Sequence, residues 1–397
     1  MSSAGVIAVD GGDLSLGGGL LALIRPAMSR LDEGGVLAVL SRNGGVGHDL
    51  PSWCRAERHE YLGAEVVGDE TRHLIGRGRF SVPAGGSELL ESMPMPARAD
   101  PTSGFAPRGT AVEAGGPAYP FDLVERDHVA PPEVAALYDQ AVEAQWDGSR
   151  DIPWARVGTH AREIDAAIRQ IMTFLAENEL SALYLPSKFI SRIHPAYVEV
   201  AMFLATQLHD EARHIDVFLK RARLAAGVAV SSVSTSRSLL SLLELEDFSE
   251  SAFLLSVLGE GTFLDLLTFI ERHAPDEATA ELTRRARNDE SRHVHFGLAH
   301  VRHALSHDPS LYRRLEAAVR RRAATLAGVG SVPAPVQDAL TLLAAGGTDP
   351  RRIARGHEAF RDLLETMHQS RIKRLLHAGF DPQQAETISA LHTPNFM

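Results

Sequence analysis

Asp210-Glu211-Ala212-Arg213-His214 and Asp289-Glu290-Ser291-Arg292-His293 are two copies of one string, Asp-Glu-x-Arg-His, in a chain of 397 residues. Each copy contains a Glu-x-x-His, and on a helix residues i and i+3 lie on one face a turn apart. A carboxylate and an imidazole so placed can bind one metal ion together. Two such pairs, each joined by one more Glu from a neighbouring helix, make a six-ligand site for two ions. A single Glu-x-x-His is a common accident on a solvated helix face; two copies of the longer string are not.

Spacing names the two further ligands. Pro195 stands midway between Glu179 and Glu211, and Pro275 stands midway between Glu260 and Glu290. Proline suits a helix's first turn and breaks its interior, so each proline marks the turn of a helical hairpin. Arms of about 15 residues place each Glu roughly 24 Å from its turn. Closing the hairpins brings Glu179 level with Glu211 and Glu260 level with Glu290. Glu177 competes with Glu179, but two residues rotate a helix face by about 200°, and Glu179 matches Glu211 in distance to the turn. Asp210 and Asp289 can accept the outer ring N–H of ligand histidines, or else stand as surface charge. His209 and His295 point away from the ligands on a helical wheel.

The surroundings read as buried. Val198 to Leu208 is almost continuously apolar, and Phe253 to Phe269 carries only Glu260 and Asp265 as charges. A carboxylate there is costly unless paired or metal-bound. Tyr184, Phe218 and Phe263 are candidates for the wall of a pocket beside the metals, with Phe174 and Phe203; plain core packing is the alternative for each. Pro186 is expected to kink or end its helix near the site.

Composition frames the rest. A hydrophobic fraction of 44% supports a large core, and the net charge of −11 opposes a nucleic-acid binder. One cysteine allows no internal disulfide and suits a reducing cytoplasm. No uninterrupted apolar run reaches the roughly 18 residues of a membrane span, and no amino-terminal signal is expected. Residues 1–82 mix β-type runs (Val6 to Val9, Val36 to Leu40, Ala64 to Val67, His73 to Ile75) with helices at Leu20 to Leu31 and Asp49 to Tyr61. That order predicts a small α/β two-layer sandwich. Residues 83–118, rich in Gly, Pro and Ser, read as a flexible linker. Residues 119–397 read as an all-α helical domain. Within it Arg313, Arg314, Arg320, Arg321 and Arg322 read as a solvated helix face, 350–378 as an amphipathic helix and His392 to Met397 as a tail against the bundle.

Two resemblances follow. Asp49, Pro51, Trp53, Cys54, Arg55, His59 and Glu60 resemble the second-helix run of the TusA-like sulfur-carrier domain. That family's Cys-Pro-x-Pro falls near Leu16-Gly17-Gly18-Gly19, where no thiol stands. Since the thiolate is the nucleophile of sulfur transfer, a docking or lid role is what remains. Residues 119–397 resemble ferritin-like di-iron proteins of the oxygenase kind, with ligand order close to the ribonucleotide reductase small subunit: Glu179, Glu211, His214, Glu260, Glu290, His293. Where that subunit has its radical tyrosine stands Phe218, which has no phenol to oxidise. Where arylamine N-oxygenases of this fold carry a further histidine stands Ala286.

The resemblance implies two iron ions, or a Mn/Fe pair, that activate O2 as co-substrate, with no catalytic side chain beyond the ligands. The expected activity is a hydroxylase or N-oxygenase acting on a small organic substrate, free or tethered to a carrier protein, with an external electron donor and no nucleic acid or membrane. A homodimer is compatible with it. The alternatives are a peroxide-scavenging or metal-storage protein and a non-catalytic interaction scaffold. One cysteine cannot build the electron-transfer site of rubrerythrin-like scavengers.

Overall fold

The computed structural model describes residues 7–78, 94–110, 112, 115–327 and 332–392. The chain divides into two compact units, one of residues up to 94 with 106–115, the other of 95–105 with 116 onward.

The first unit alternates β1 (Ile7–Asp10), α1 (Leu21–Ser29), β2 (Val36–Ser41), α2 (Val46–Ala56), β3 (Glu60–Val67) and β4 (Glu70–Gly76). Its sheet runs β1-β2-β4-β3, with β1 parallel to β2 and the other pairings antiparallel. Gly68, at φ 67°, takes the left-handed turn of the β3–β4 hairpin. Leu20, Ile24, Leu37, Val39, Leu50, Trp53, Cys54 and Ile75 join helices to sheet in one core. The expected two-layer sandwich is therefore present. The second helix spans Val46–Ala56, earlier than Asp49 to Tyr61, because His59–Glu60 lead into β3.

The second unit is helical: α3 (Val134–Glu143), α4 (Arg162–Ile190), α5 (Val198–Leu224), α6 (Val233–Leu243), α7 (Phe248–Ala252), α8 (Gly261–Arg272), α9 (Glu277–His307), α10 (Leu311–Leu326), α11 (Ala334–Ala345), α12 (Pro350–His377) and α13 (Pro382–Leu391). Hairpins α4–α5 and α8–α9 turn at Pro195 and Pro275 as the spacing predicts, and α5 packs on α9. Between α7 and α8 the helix widens to a π segment, Phe253–Glu260, every residue of which is buried. Gly297 on α9 lies so close that a Cβ would meet Ser256 Cβ at 2.6 Å. At the far end, Arg221 on α5 is buried and donates to Asp276 (2.7 Å) and Thr279 (2.7 Å), while Asp276 caps α9. The run Phe248–Arg272 is long and apolar enough to cross a membrane by composition, but most of it is buried inside the protein, as in a core helix.

Three expectations change. Residues 95–105, read as linker, belong to the helical unit: Ala99 is buried in its core and donates its N–H to Val124 at 2.8 Å. Irregular backbone pairing of this kind leaves no hydrophobic period to read. Pro186 does not end α4, which continues to Ile190. Arg322 is buried rather than solvated and donates to the Ser238 carbonyl (2.9 Å) and hydroxyl (2.8 Å). Residues 83–93 and 393–397 lie outside the described residues.

Candidate metal centre

Each ligand candidate sits where its helix must turn it inward. Glu179 lies on α4, Glu211 and His214 on α5, and Glu290 and His293 on α9; Glu260 closes the π segment. All six are buried. They form two overlapping sets of four: Glu179, Glu211, His214 and Glu290, and Glu211, Glu260, Glu290 and His293. Glu211 and Glu290 belong to both sets, which is the position of carboxylates bridging two ions. His214 Nδ1 stands 3.7 Å from Glu179, 3.3 Å from Glu211 and 3.4 Å from Glu290. His293 Nδ1 stands 3.0 Å from Glu211 and 3.4 Å from Glu290. Ligands held at about 2.0–2.2 Å from a common ion fall at such separations.

The donor set fits metal. Glu179 Oε1, both oxygens of Glu211 and of Glu290, Glu260 Oε2 and both Nδ1 atoms are buried without a hydrogen-bond partner. Buried polar atoms left unpaired in such number are rare. Burial, then the charges of Glu211 and Glu290, pushes Glu179 well above the usual carboxylate range; burial, then Glu290, does the same to Glu260. Burial opposes protonation of His214 and His293, yet the surrounding carboxylates raise both. The centre therefore calls for positive charge. Four glutamates with Asp210 and Asp289 face Arg213 and Arg292; with both imidazoles neutral, as metal ligation requires, two divalent ions would bring the sum to zero.

The other letters of the repeated string wire the two copies together. His214 Nε2 donates to Asp289 at 3.1 Å, and His293 Nε2 donates to Asp210 at 3.3 Å. Each aspartate thus holds the imidazole of the opposite copy, with Nδ1 left facing the ligands. Arg213 bonds its own Asp210 and donates to Asp289 at 2.9 Å; Arg292 bonds Asp289 and donates to Asp210 at 3.1 Å. Trp146 Nε1 donates to Asp289 at 2.7 Å, and its ring lies under the Arg213 guanidinium. Gln207 donates to Glu260 at 3.0 Å. The arginines are readable in hindsight from the doubled string; Trp146 and Gln207 carry no sequence signal tying them to the site.

Phe218 is buried with its ring 6.2 Å from that of His214, and Phe263 is buried 6.3 Å from Phe174. Tyr184 is not in the pocket. It is 60% exposed, because five residues past Glu179 a helix has turned about 140° off the metal face. Glu177 is outside the cluster and bonds Ser231. His209 and His295 are exposed.

Fold and site together define a helical bundle with a buried carboxylate–imidazole centre able to bind two metal ions. No family model and no curated protein matches the chain. Among solved structures it is similar to a variant of an R2-like ligand-binding oxidase with an aerobically reconstituted Mn/Fe cofactor, at 18% identity and TM-score 0.48, covering 62% of this chain and 93% of that one. A variant carrying an Fe/Fe cofactor matches at 18% identity and TM-score 0.46, covering 66% and 94%. The metals in those names belong to those proteins.

Proposed function

We propose that the chain is an O2-activating non-haem di-iron oxygenase, a hydroxylase or N-oxygenase of a small organic substrate, with a Mn/Fe pair as the variant composition. The observation that carries this reading is the sharing of Glu211 and Glu290 between two four-ligand sets, all buried. Two imidazoles suit iron among the divalent metals, and carboxylates favour its oxidised state. The bound pair would supply the electron-transfer chemistry that reduces O2.

The chain's residues supply the rest. Asp210 and Asp289 fix ring orientation, and Gln207 orients Glu260. Phe203 stacks on Phe296 at 4.6 Å, part of an apolar packing that keeps water from the centre. Phe218 offers no oxidisable phenol beside His214. Electrons come from an external donor, the substrate is free or carrier-tethered, and the protein works in the cytoplasm, alone or as a homodimer. The first unit serves as a TusA-like domain without sulfur transfer: Leu16–Gly19 holds no thiol, and burial pushes the Cys54 thiol up to about 11.

Anaerobic Fe(II) loading followed by metal analysis tests the reading. About two ions per chain are expected, then O2 uptake that rises with the correct substrate; fewer than about one ion per chain overturns it. Equal uptake with and without any organic substrate points instead to scavenging.

A further inference from the structure

The last turns of α9 carry a second cluster of ligand-type side chains. His303 and His307, four residues apart, share one helix face, their ring centroids 4.5 Å apart. Asp127, on the short turn Arg126–His128, faces both. Its Oδ1 lies 3.6 Å from His303 Nε2 and its Oδ2 lies 3.7 Å from His307 Nε2. Those gaps are too long for hydrogen bonds. They are close to the separation of about 3.4 Å between two ligands of one tetrahedral ion with bonds near 2.05 Å.

The ring nitrogens are prepared for the same role. His307 Nδ1 sits 2.9 Å from the His303 carbonyl oxygen, which can only accept, so Nδ1 carries the proton. His307 Nε2 therefore turns a lone pair toward Asp127. His303 Nε2 is buried and has no hydrogen-bond partner. Two imidazole nitrogens and a carboxylate thus converge on one gap into which a cation fits. An imidazole anchored at one nitrogen by a backbone carbonyl is the usual state of a metal-ligating histidine.

We propose that Asp127, His303 and His307 form a further metal site, distinct from the buried centre, for one borderline divalent ion of the Zn(II), Co(II) or Ni(II) class. Two imidazoles and one carboxylate suit these ions better than Mg(II) or Ca(II). His307 is exposed, so the remaining coordination position faces solvent. The site lies about 15 Å along α9 from His293 and rests on no reading of the buried centre. Arg126, which donates to Asp127 Oδ1 at 3.1 Å, is the cation the metal must compete with.

Equilibrium dialysis of the metal-free full chain against Co(II), with visible spectroscopy, tests this. The wild type should bind one equivalent more than a His303→Ala/His307→Ala variant. Asp127→Asn should weaken that equivalent about tenfold or more, while Arg126→Gln should strengthen it. Equal stoichiometry in the wild type and a folded histidine variant overturns the proposal. Should that variant fail to fold, unchanged Co(II) affinity in Asp127→Asn and Arg126→Gln overturns it equally.

Discussion

At the scale of single residues, the candidate centre depends on side chains outside the two four-residue sets. Asp289 takes donors from His214, Trp146 and Arg213, so it fixes the ring while absorbing positive charge. Asp289→Asn keeps the shape but removes the charge. It should lower metal affinity 10–100-fold with helicity retained, as read by competition with a chelator and circular dichroism. His300 gives a pH effect. Buried, with Ser249 at 3.0 Å, it is held down to about 4, first by burial and then by His303. Its folded pKa lies below the unfolded value, so it stays neutral in the fold while the unfolded chain takes up a proton below about pH 6.5. Stability from this residue is therefore lost as pH falls from about 6.5 toward 4, by up to about 3 kcal/mol. His300→Gln should flatten urea stability against pH over that window; an unchanged slope would contradict the assignment. The clustering of the six candidate ligands was legible because a repeated string and a symmetric spacing both pointed to it. Trp146 reaches Asp289 from far along the chain, and only the folded path reveals such a partner.

At the scale of elements, the hairpins were legible because proline acts locally: it cannot continue a helix, so it punctuates the sequence where the chain turns. The π segment was not. Its wider hydrogen-bond ring leaves no period that a nearly continuous apolar stretch such as Phe253 to Leu258, broken only by Ser256, could display, and such segments gather at functional sites. Here it delivers Glu260 to the cluster, against Gly297 of α9. Gly297→Leu should force α9 off the segment and disturb Glu260 more than His293. The expected outcome is a destabilisation of about 1–3 kcal/mol from overpacking and loss of roughly one metal ion per chain. Chemical denaturation and metal analysis of the variant check both. Tyr184 failed as a pocket residue for a helical reason as well: closeness in sequence to Glu179 is not closeness in azimuth.

At the scale of the molecule, one chain holds two separate cores among its described residues, and the six candidate ligands lie in the helical unit. Metal that binds the native helical unit alone stabilises it by mass action, about 2.7 kcal/mol at a hundredfold excess over the dissociation constant. Calorimetry with and without Fe(II) or Mn(II) should raise the transition of the helical unit and leave that of the α/β unit in place; a chelator should reverse the rise. A metal shift of both transitions equally would count against two independent cores. The α/β order was legible from alternating apolar runs, whereas the join was not, since residues 95–105 pair with the helical unit without any pattern of their own. The crossed aspartate–histidine bonds carry one more consequence. Residue i of one hairpin meets residue j of the other, and j meets i, which is the rule of an isologous contact between identical subunits. The two hairpins thus meet about an internal dyad, a self-complementary interface of homodimer type enclosed within a single polypeptide.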